Sequence, residues 1–205
     1  MTKFPNLDKL LERYRLTLAS GSPRRVQLLR EAGIKFRQII PDIQEDNYAP
    51  IAPPQLAVIL ARRKAEAVRN NIETDEIALG CDTIVILNGN ILGKPASSAK
   101  AMEMLQSLSG KRHIVCSAIA LFNRHGQSVD GFELTDVYFH SISKQQIEWY
   151  ISTGEPLDKA GAYGIQEQGG FLVDRIEGNV DNVIGLPMLL LDQLAEQIEV
   201  KLRKI

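Results

Sequence analysis

The chain has 205 residues, 44% of them hydrophobic and 24% charged, which is ordinary globular composition and enough for a substantial core in one domain. The formal net charge of −1 provides no global field to attract nucleic acid or an acidic membrane, so any anion site must be local. Met1 to Arg15 lacks an apolar leader core, no apolar run is long enough to span a bilayer, and Cys81 and Cys116 sit in strand-like apolar runs as reduced core thiols; the expectation is a cytoplasmic protein with no nucleic-acid or membrane partner.

Residues 1–14 read as a short helical or loosely ordered extension. Arg15 to Ala19 predicts a strand, and Pro23 to Ala32 a helix stopped by Gly33. Lys35 to Ile40 reads as a strand ended by Pro41-Asp42, and Gln44 to Pro54 as an acidic, Pro-rich loop. A helix follows from Pro54 to Asn71, then a buried strand from Ile77 to Leu87, broken by Asp82. Asn88-Gly89 is a hairpin signal, with Ile91 to Pro95 as the return. Ser97 or Ser98 caps a helix through Leu108, stopped by Gly110. Two long strands, His113 to Phe122 and Phe132 to Ile142, flank a polar hairpin loop, and Ser143 caps a helix ending near Gly154. A Gly-rich segment, 154–170, leads to a strand from Phe171 to Ile176, and Pro187 opens the last helix, through about Arg203. Helices alternating with strands, then hairpins, predict an α/β fold with a mixed sheet.

Several charged residues break the local rule, and such places concentrate chemistry. Ser20-Gly21-Ser22-Pro23-Arg24-Arg25 joins the first strand to its helix, with Ser22 as N-cap and Pro23 in the first helical position. Arg24 and Arg25 then fall at the positive end of the helix dipole, where cations are disfavoured unless an anion is bound. Free N–H groups, the Ser20 and Ser22 hydroxyls and two guanidinium groups make a phosphate cradle; the plainer alternative is a pair of solvated arginines. In the helix 54–71, Leu56, Ala57, Leu60, Ala61, Ala67 and Val68 share one face, and Lys64 lands in its middle. A lysine there must snorkel out, deprotonate or meet an anion.

Asp82 interrupts a nearly all-apolar run, where a carboxylate is costly unless paired, hydrogen-bonded or metal-bound. Glu45 and Asp46 alone read as a solvated loop; with Asp82 they can supply carboxylate oxygens to Mg²⁺, which takes one or two carboxylates plus phosphate oxygens. Lys94, in Gly93-Lys94-Pro95, reads as an ordinary turn lysine without further evidence. Gln166 lies in a glycine-rich stretch that permits close backbone approach to a ligand, and its amide can read a base edge. The chain has no P-loop and no Gly-x-Ser-x-Gly elbow, and its three histidines lack metal-ligand spacing.

The segments Leu18 to Arg25, Ala61-Arg62-Arg63-Lys64-Ala65, Gly80 to Val85, Gly93-Lys94-Pro95, Leu108-Ser109-Gly110, Asp158 to Gln166 and Asn182 to Pro187 together resemble the Maf nucleotide pyrophosphatases, in order and over nearly the whole chain. The resemblance implies a single domain with a mixed α/β sheet and flanking helices in two lobes around a cleft, similar to inosine triphosphate pyrophosphatases. It implies cleavage of nucleoside triphosphates between the α- and β-phosphates. Carried onto this chain, it puts Ser20, Arg24, Arg25, Lys64 and Lys94 on phosphates, Glu45 and Asp82 on Mg²⁺ or Mn²⁺ and the attacking water, and Gln166 near the base. It also implies a homodimer. The wording of 158–166 resembles the subgroup acting on dTTP and UTP. A non-catalytic, nucleotide-sensing regulator of septum formation is the alternative from another class, and it would not need an acidic pair beside the cations.

Overall fold

The computed structural model describes residues 3–43 and 51–203. In chain order the elements are α1 (Pro5–Leu11), β1 (Arg15–Ala19), α2 (Pro23–Glu31), β2 (Phe36–Ile39), α3 (Pro53–Ala67), β3 (Glu76–Leu87), β4 (Asn90–Leu92), α4 (Ser98–Leu108), β5 (Arg112–Asn123), β6 (Ser128–Phe139), α5 (Lys144–Ser152), β7 (Val173–Glu177), α6 (Val180–Ile184) and α7 (Met188–Leu202), with short 3-10 turns between some of them. Among the described residues seven strands form one mixed sheet in the order β2-β1-β3-β5-β6-β7, with β4 paired to β3. β1 runs parallel to both β2 and β3, whereas the β3–β4 and β6–β7 pairs are antiparallel. The predicted α/β class with a mixed sheet and flanking helices is the observed one.

The chain divides into two compact units. The first takes the described residues up to Asp82, then Ser117–Glu133, and the chain from Gly185 on. Its core gathers Leu16 and Leu18 of β1, Ile77 and Leu79 of β3, Leu29 of α2, and Leu191 and Ile198 of α7. Parallel strands covered on both faces bury side chains on both, and this explains why Leu16, Leu18 and Ala19 of β1 and Ile77, Ala78 and Leu79 of β3 are all buried. The extension is a helix packed into this core, with Leu7 and Leu10 fully buried. Its first amides have no cap of their own. Asp192 of α7 supplies one, accepting from Asn6 and Leu7 N–H at 2.9 Å each and from the Asn6 side chain at 3.0 Å.

In the same unit α3 lies directly on β3. A Cβ added at Gly80 would fall 2.1 Å from the Ala61 carbonyl oxygen and 2.6 Å from the Ala65 nitrogen, so only glycine allows this approach. α3 stops at Ala67 and a 3-10 turn, Arg69–Asn71, completes the stretch predicted as one helix. Ala57, Leu60, Ala61 and Ala65 form its buried face; Ala67, assigned to that face from the sequence, is exposed.

The second unit comprises Thr83–Cys116 and Leu134–Ile184. Its core combines Val85 and Leu87 with Leu105 and Leu108 of α4, Phe139 of β6, Ile147 and Tyr150 of α5, and Tyr163. The Asn88-Gly89 hairpin forms as predicted, with φ of 51° and 79°, as its turn type requires. Ser143 caps α5 in a full capping box with Gln146. Residues 154–170, predicted as a Gly-rich loop, fold into three 3-10 turns.

Candidate active site

Ser20, Ser22, Arg24, Arg25, Lys64 and Asp82, all singled out from the sequence, belong to the first unit and are linked by hydrogen bonds or chain adjacency. Ser20 directly follows β1 and is nearly buried. Its hydroxyl accepts from the Ser22 N–H at 3.2 Å and from Arg25 Nη1 at 2.9 Å, and its carbonyl accepts from the Gln38 side chain at 2.8 Å. Ser22 holds the N-cap position of α2, but its side chain makes no capping bond. Arg24 stands half-buried in the first turn of that helix.

Arg25 is buried, and its guanidinium is turned inward. Nε donates to the Gly185 carbonyl at 2.9 Å, and Nη1 donates to the Cys81 carbonyl at 3.0 Å as well as to Ser20. One side chain therefore joins the end of β1, the middle of β3 and the segment before α7. Its planar fork is suited to several fixed acceptors in a way a lysine is not. The sequence reading placed Arg25 on a phosphate; in the structure these donors serve internal oxygens.

Asp82 follows Cys81 on β3, and Lys64 reaches it from α3. Lys64 Nζ lies 2.6 Å from Asp82 Oδ1, with the two side chains only 14% and 8% exposed. Of the three fates open to a lysine on an apolar helix face, this one has met an anion. Gly80 makes the pairing possible. It lies two residues before Asp82 on the same face of β3, and its missing side chain lets Ala61 and Ala65, on either side of Lys64, press against the strand. β3 continues through Asp82 without a break, because the carboxylate is paired rather than left to disrupt the strand. Cys81 is fully buried, and burial pushes its thiol up to about 11, so it is an inert core group.

Glu45, with Asp46, lies outside the described residues. Among the described residues no group of three or more His, Cys, Asp or Glu side chains assembles to hold a metal ion. The donor chemistry of Asp82 nevertheless fits a hard divalent cation, since Mg²⁺ needs only one or two carboxylates when phosphate supplies other oxygens.

Lys94 and Gln166 belong to the second unit, and both are exposed. The Gly93 carbonyl accepts from the Gly161 N–H at 3.1 Å, which docks the segment carrying Lys94 onto the 158–166 stretch. Gly161 has φ of 68°, and a Cβ there would meet Val85 at 2.9 Å, so both its conformation and its space demand glycine. Ala162, beside it, holds a φ of 61° that a non-glycine residue adopts only when its surroundings compel it. Gly80, which seats α3 on β3, and the buried Tyr150, Glu155 and Lys159 were missed as site-building residues. The acid and the lysine stand beside Pro156 and Ala160 in the sequence with nothing local to mark them as buried.

The cluster of Ser20, the first turn of α2 and the Lys64–Asp82 pair lies at the carboxyl end of parallel strands, where open α/β sheets hold their ligands. The fold and this cluster thus define an α/β protein with polar and charged side chains gathered at its strand ends. The chain belongs to the Maf-like protein family, whose model matches residues 15–198. It is 48% identical over 174 residues to the dTTP/UTP pyrophosphatase of Salmonella typhimurium, covering 85% of this chain and 88% of that one. It is 47% identical over 178 residues to that of Desulfitobacterium hafniense (84% and 80% covered), and 42% identical over 186 residues to that of Bacillus cereus (91% and 96% covered). Among solved structures, it is similar to the Staphylococcus aureus Ham1 protein, with 16% identity, a TM-score of 0.49, and 90% of this chain and 99% of that chain covered.

Proposed function

We propose that this protein hydrolyses nucleoside triphosphates, dTTP and UTP first among them, to the monophosphate and pyrophosphate. The Lys64–Asp82 pair is the observation that carries the reading: a nearly buried carboxylate held by a lysine, on a strand adjoining a helix N-terminus. The names of relatives at 42–48% identity supply the substrates.

In this reading the N–H groups at the start of α2 and the Arg24 guanidinium receive phosphate oxygens. Arg25 holds Ser20 and the Cys81 carbonyl in place, so that the strand ends present a fixed surface to the phosphates. Lys64 orients Asp82, and its charge offsets that of the phosphate chain. Asp82 takes the proton of the water that attacks the α-phosphorus in line, and pyrophosphate leaves as the P–O bond to the β-phosphate breaks. Positioning and charge stabilisation supply most of the acceleration, as in other phosphoryl-type transfers. Asp82, with Glu45, would hold a Mg²⁺ or Mn²⁺ ion, which when bound neutralises phosphate oxygens and acidifies a coordinated water. Lys94 is assigned to a phosphate and Gln166 to the base. A homodimer is the assembly we assign to it.

The test is a product assay. Purified protein is incubated with dTTP, UTP, CTP, GTP, ITP and 7-methyl-GTP in Mg²⁺ or Mn²⁺, and pyrophosphate and orthophosphate are measured separately. Pyrophosphate from dTTP and UTP, with none from 7-methyl-GTP, is expected. Orthophosphate alone would replace this reading with a phosphatase, and binding without turnover would replace it with a nucleotide-sensing regulator.

A further inference from the structure

Within the second unit, the segment Gly164 to Gly169 is an arch whose two feet stand on one buried pair of side chains. The Tyr150 hydroxyl, at the end of α5, donates to Glu155 Oε1 at 2.8 Å and accepts from the Gly164 N–H at 3.1 Å. The Glu155 carboxylate accepts from the Gln168 N–H at 3.0 Å through Oε2 and from the Gly169 N–H at 3.4 Å through Oε1. Tyr150 is fully buried and Glu155 nearly so. Lys159, also buried, bonds to the Glu155 main-chain carbonyl at 2.8 Å and to Asp158 at 2.9 Å, completing the floor.

The glycines confirm how tightly the feet are set. A Cβ at Gly169 would lie 2.3 Å from the Gly164 carbonyl oxygen and 2.4 Å from the Tyr150 hydroxyl. One at Gly164 would lie 2.7 Å from Lys159 Cε. The two ends of the arch thus touch each other and the polar network, with no room for side chains. Between them Ile165 packs on the apolar core, while Gln166 and Glu167 stand exposed. A residue at the top of so short an arch has its backbone fixed by the bonds at its base.

We propose that Tyr150 and Glu155 are positioning residues that fix the Gly164–Gly169 arch and thereby set which base Gln166 accepts. This rests on the assignment of Gln166 to the base. An amide reads a base edge only when its donor and acceptor are held in one orientation, because a site built for a given pattern rejects bases that leave its polar groups unpaired. A loosened arch lets the amide follow other bases, so the loss falls on selectivity and KM more than on kcat.

The experiment compares the full-length protein with Tyr150→Phe, Glu155→Gln, Glu155→Ala and Gln166→Ala. Tyr150→Phe keeps the packed ring and loses only the hydroxyl, so it tests the network without emptying the core. Amide exchange at Gly164, Gln168 and Gly169 is read alongside kcat and KM for dTTP, UTP and CTP. Loss of one buried bond should speed exchange at the arch by about tenfold, with β1 and α2 unchanged. KM for dTTP and UTP should rise by a similar factor and the preference over CTP should shrink, most in Glu155→Ala and less in Glu155→Gln, which keeps one acceptor oxygen. Combining Tyr150→Phe with Gln166→Ala should cost no more selectivity than Gln166→Ala alone. Unchanged exchange, or faster exchange with unchanged selectivity, overturns the positioning role. Absence of pyrophosphate from the unmodified protein overturns the underlying activity and the selectivity claim with it.

Discussion

Lys64 and Asp82 meet at 2.6 Å on the packed face between α3 and β3, where neither charge is well solvated. Each makes the other tolerable: alone, either would be an uncompensated charge on an apolar surface. The lysine therefore holds the carboxylate in one place and orientation. Asp82→Asn keeps the shape and an acceptor for Lys64 but removes the proton acceptor. Turnover of dTTP should fall by about 10²–10⁴-fold, the usual range for a lost general base, while nucleotide affinity stays within a few-fold by calorimetry. Near-normal turnover would remove Asp82 from the chemistry.

Gly80 sets that meeting. A methyl group there collides with the backbone of α3, which cannot rotate away as a flexible side chain could. Gly80→Ala should lower the unfolding free energy by about 1–3 kcal/mol, the usual cost of overpacking, read by urea denaturation. It should also lower kcat, because the shift in α3 carries Lys64 away from Asp82. Full stability and full activity together would mean that the helix does not bear on the strand there.

Neighbouring arginines should respond differently. Arg24→Ala should raise KM for the nucleotide. Arg25→Ala leaves the Gly185 and Cys81 carbonyls and the Ser20 hydroxyl without their shared donor, and should cost about 3 kcal/mol or more of stability. Arg25→Lys should recover only part of it, since one ammonium cannot span the same acceptors. An unchanged melting temperature in Arg25→Ala would contradict the internal role of Arg25.

His113 gives the fold a pH dependence. Burial holds its imidazole down at about 4, partly opposed by Asp136, and its Nε2 lies 2.7 Å from the Tyr163 hydroxyl. The folded pKa is below the unfolded value of 6.5, so the unfolded chain takes up the proton first as pH falls. The stabilisation from keeping His113 neutral is complete above pH 6.5 and is lost as pH falls toward 4. The loss amounts to about 3–4 kcal/mol at roughly 1.4 kcal/mol per pH unit. Urea midpoints measured from pH 7.5 to 4.5 should fall, and fall less steeply in His113→Phe. Parallel profiles would show that another group is responsible.

Much of this architecture was legible because its signals are local. The strand, proline and short helix around Ser20 to Glu31, the Asn88-Gly89 turn and the Ser143 cap each depend on a few adjacent residues. Lys64 and Asp82 were legible as misfits, and their partnership explains both. What escaped depends on distance along the chain. Asp192 caps a helix 186 residues away, which no local pattern announces. Arg25 looks like a surface cation until Gly185 and Cys81 surround it. Glu155 looks like a loop acid until the chain returns at Gln168 and Gly169. The end of α3 was overrun because the apolar period continues through Val68, although the helix ends at Ala67 and a 3-10 turn follows from Arg69.

The claim that water attacks the α-phosphorus is tested most directly by the fate of its oxygen. dTTP is hydrolysed in ¹⁸O-enriched water and both products are examined by mass spectrometry. One ¹⁸O in dTMP and none in pyrophosphate is the predicted result. Label in pyrophosphate, or in released orthophosphate, would place the attack on another phosphorus and contradict the account.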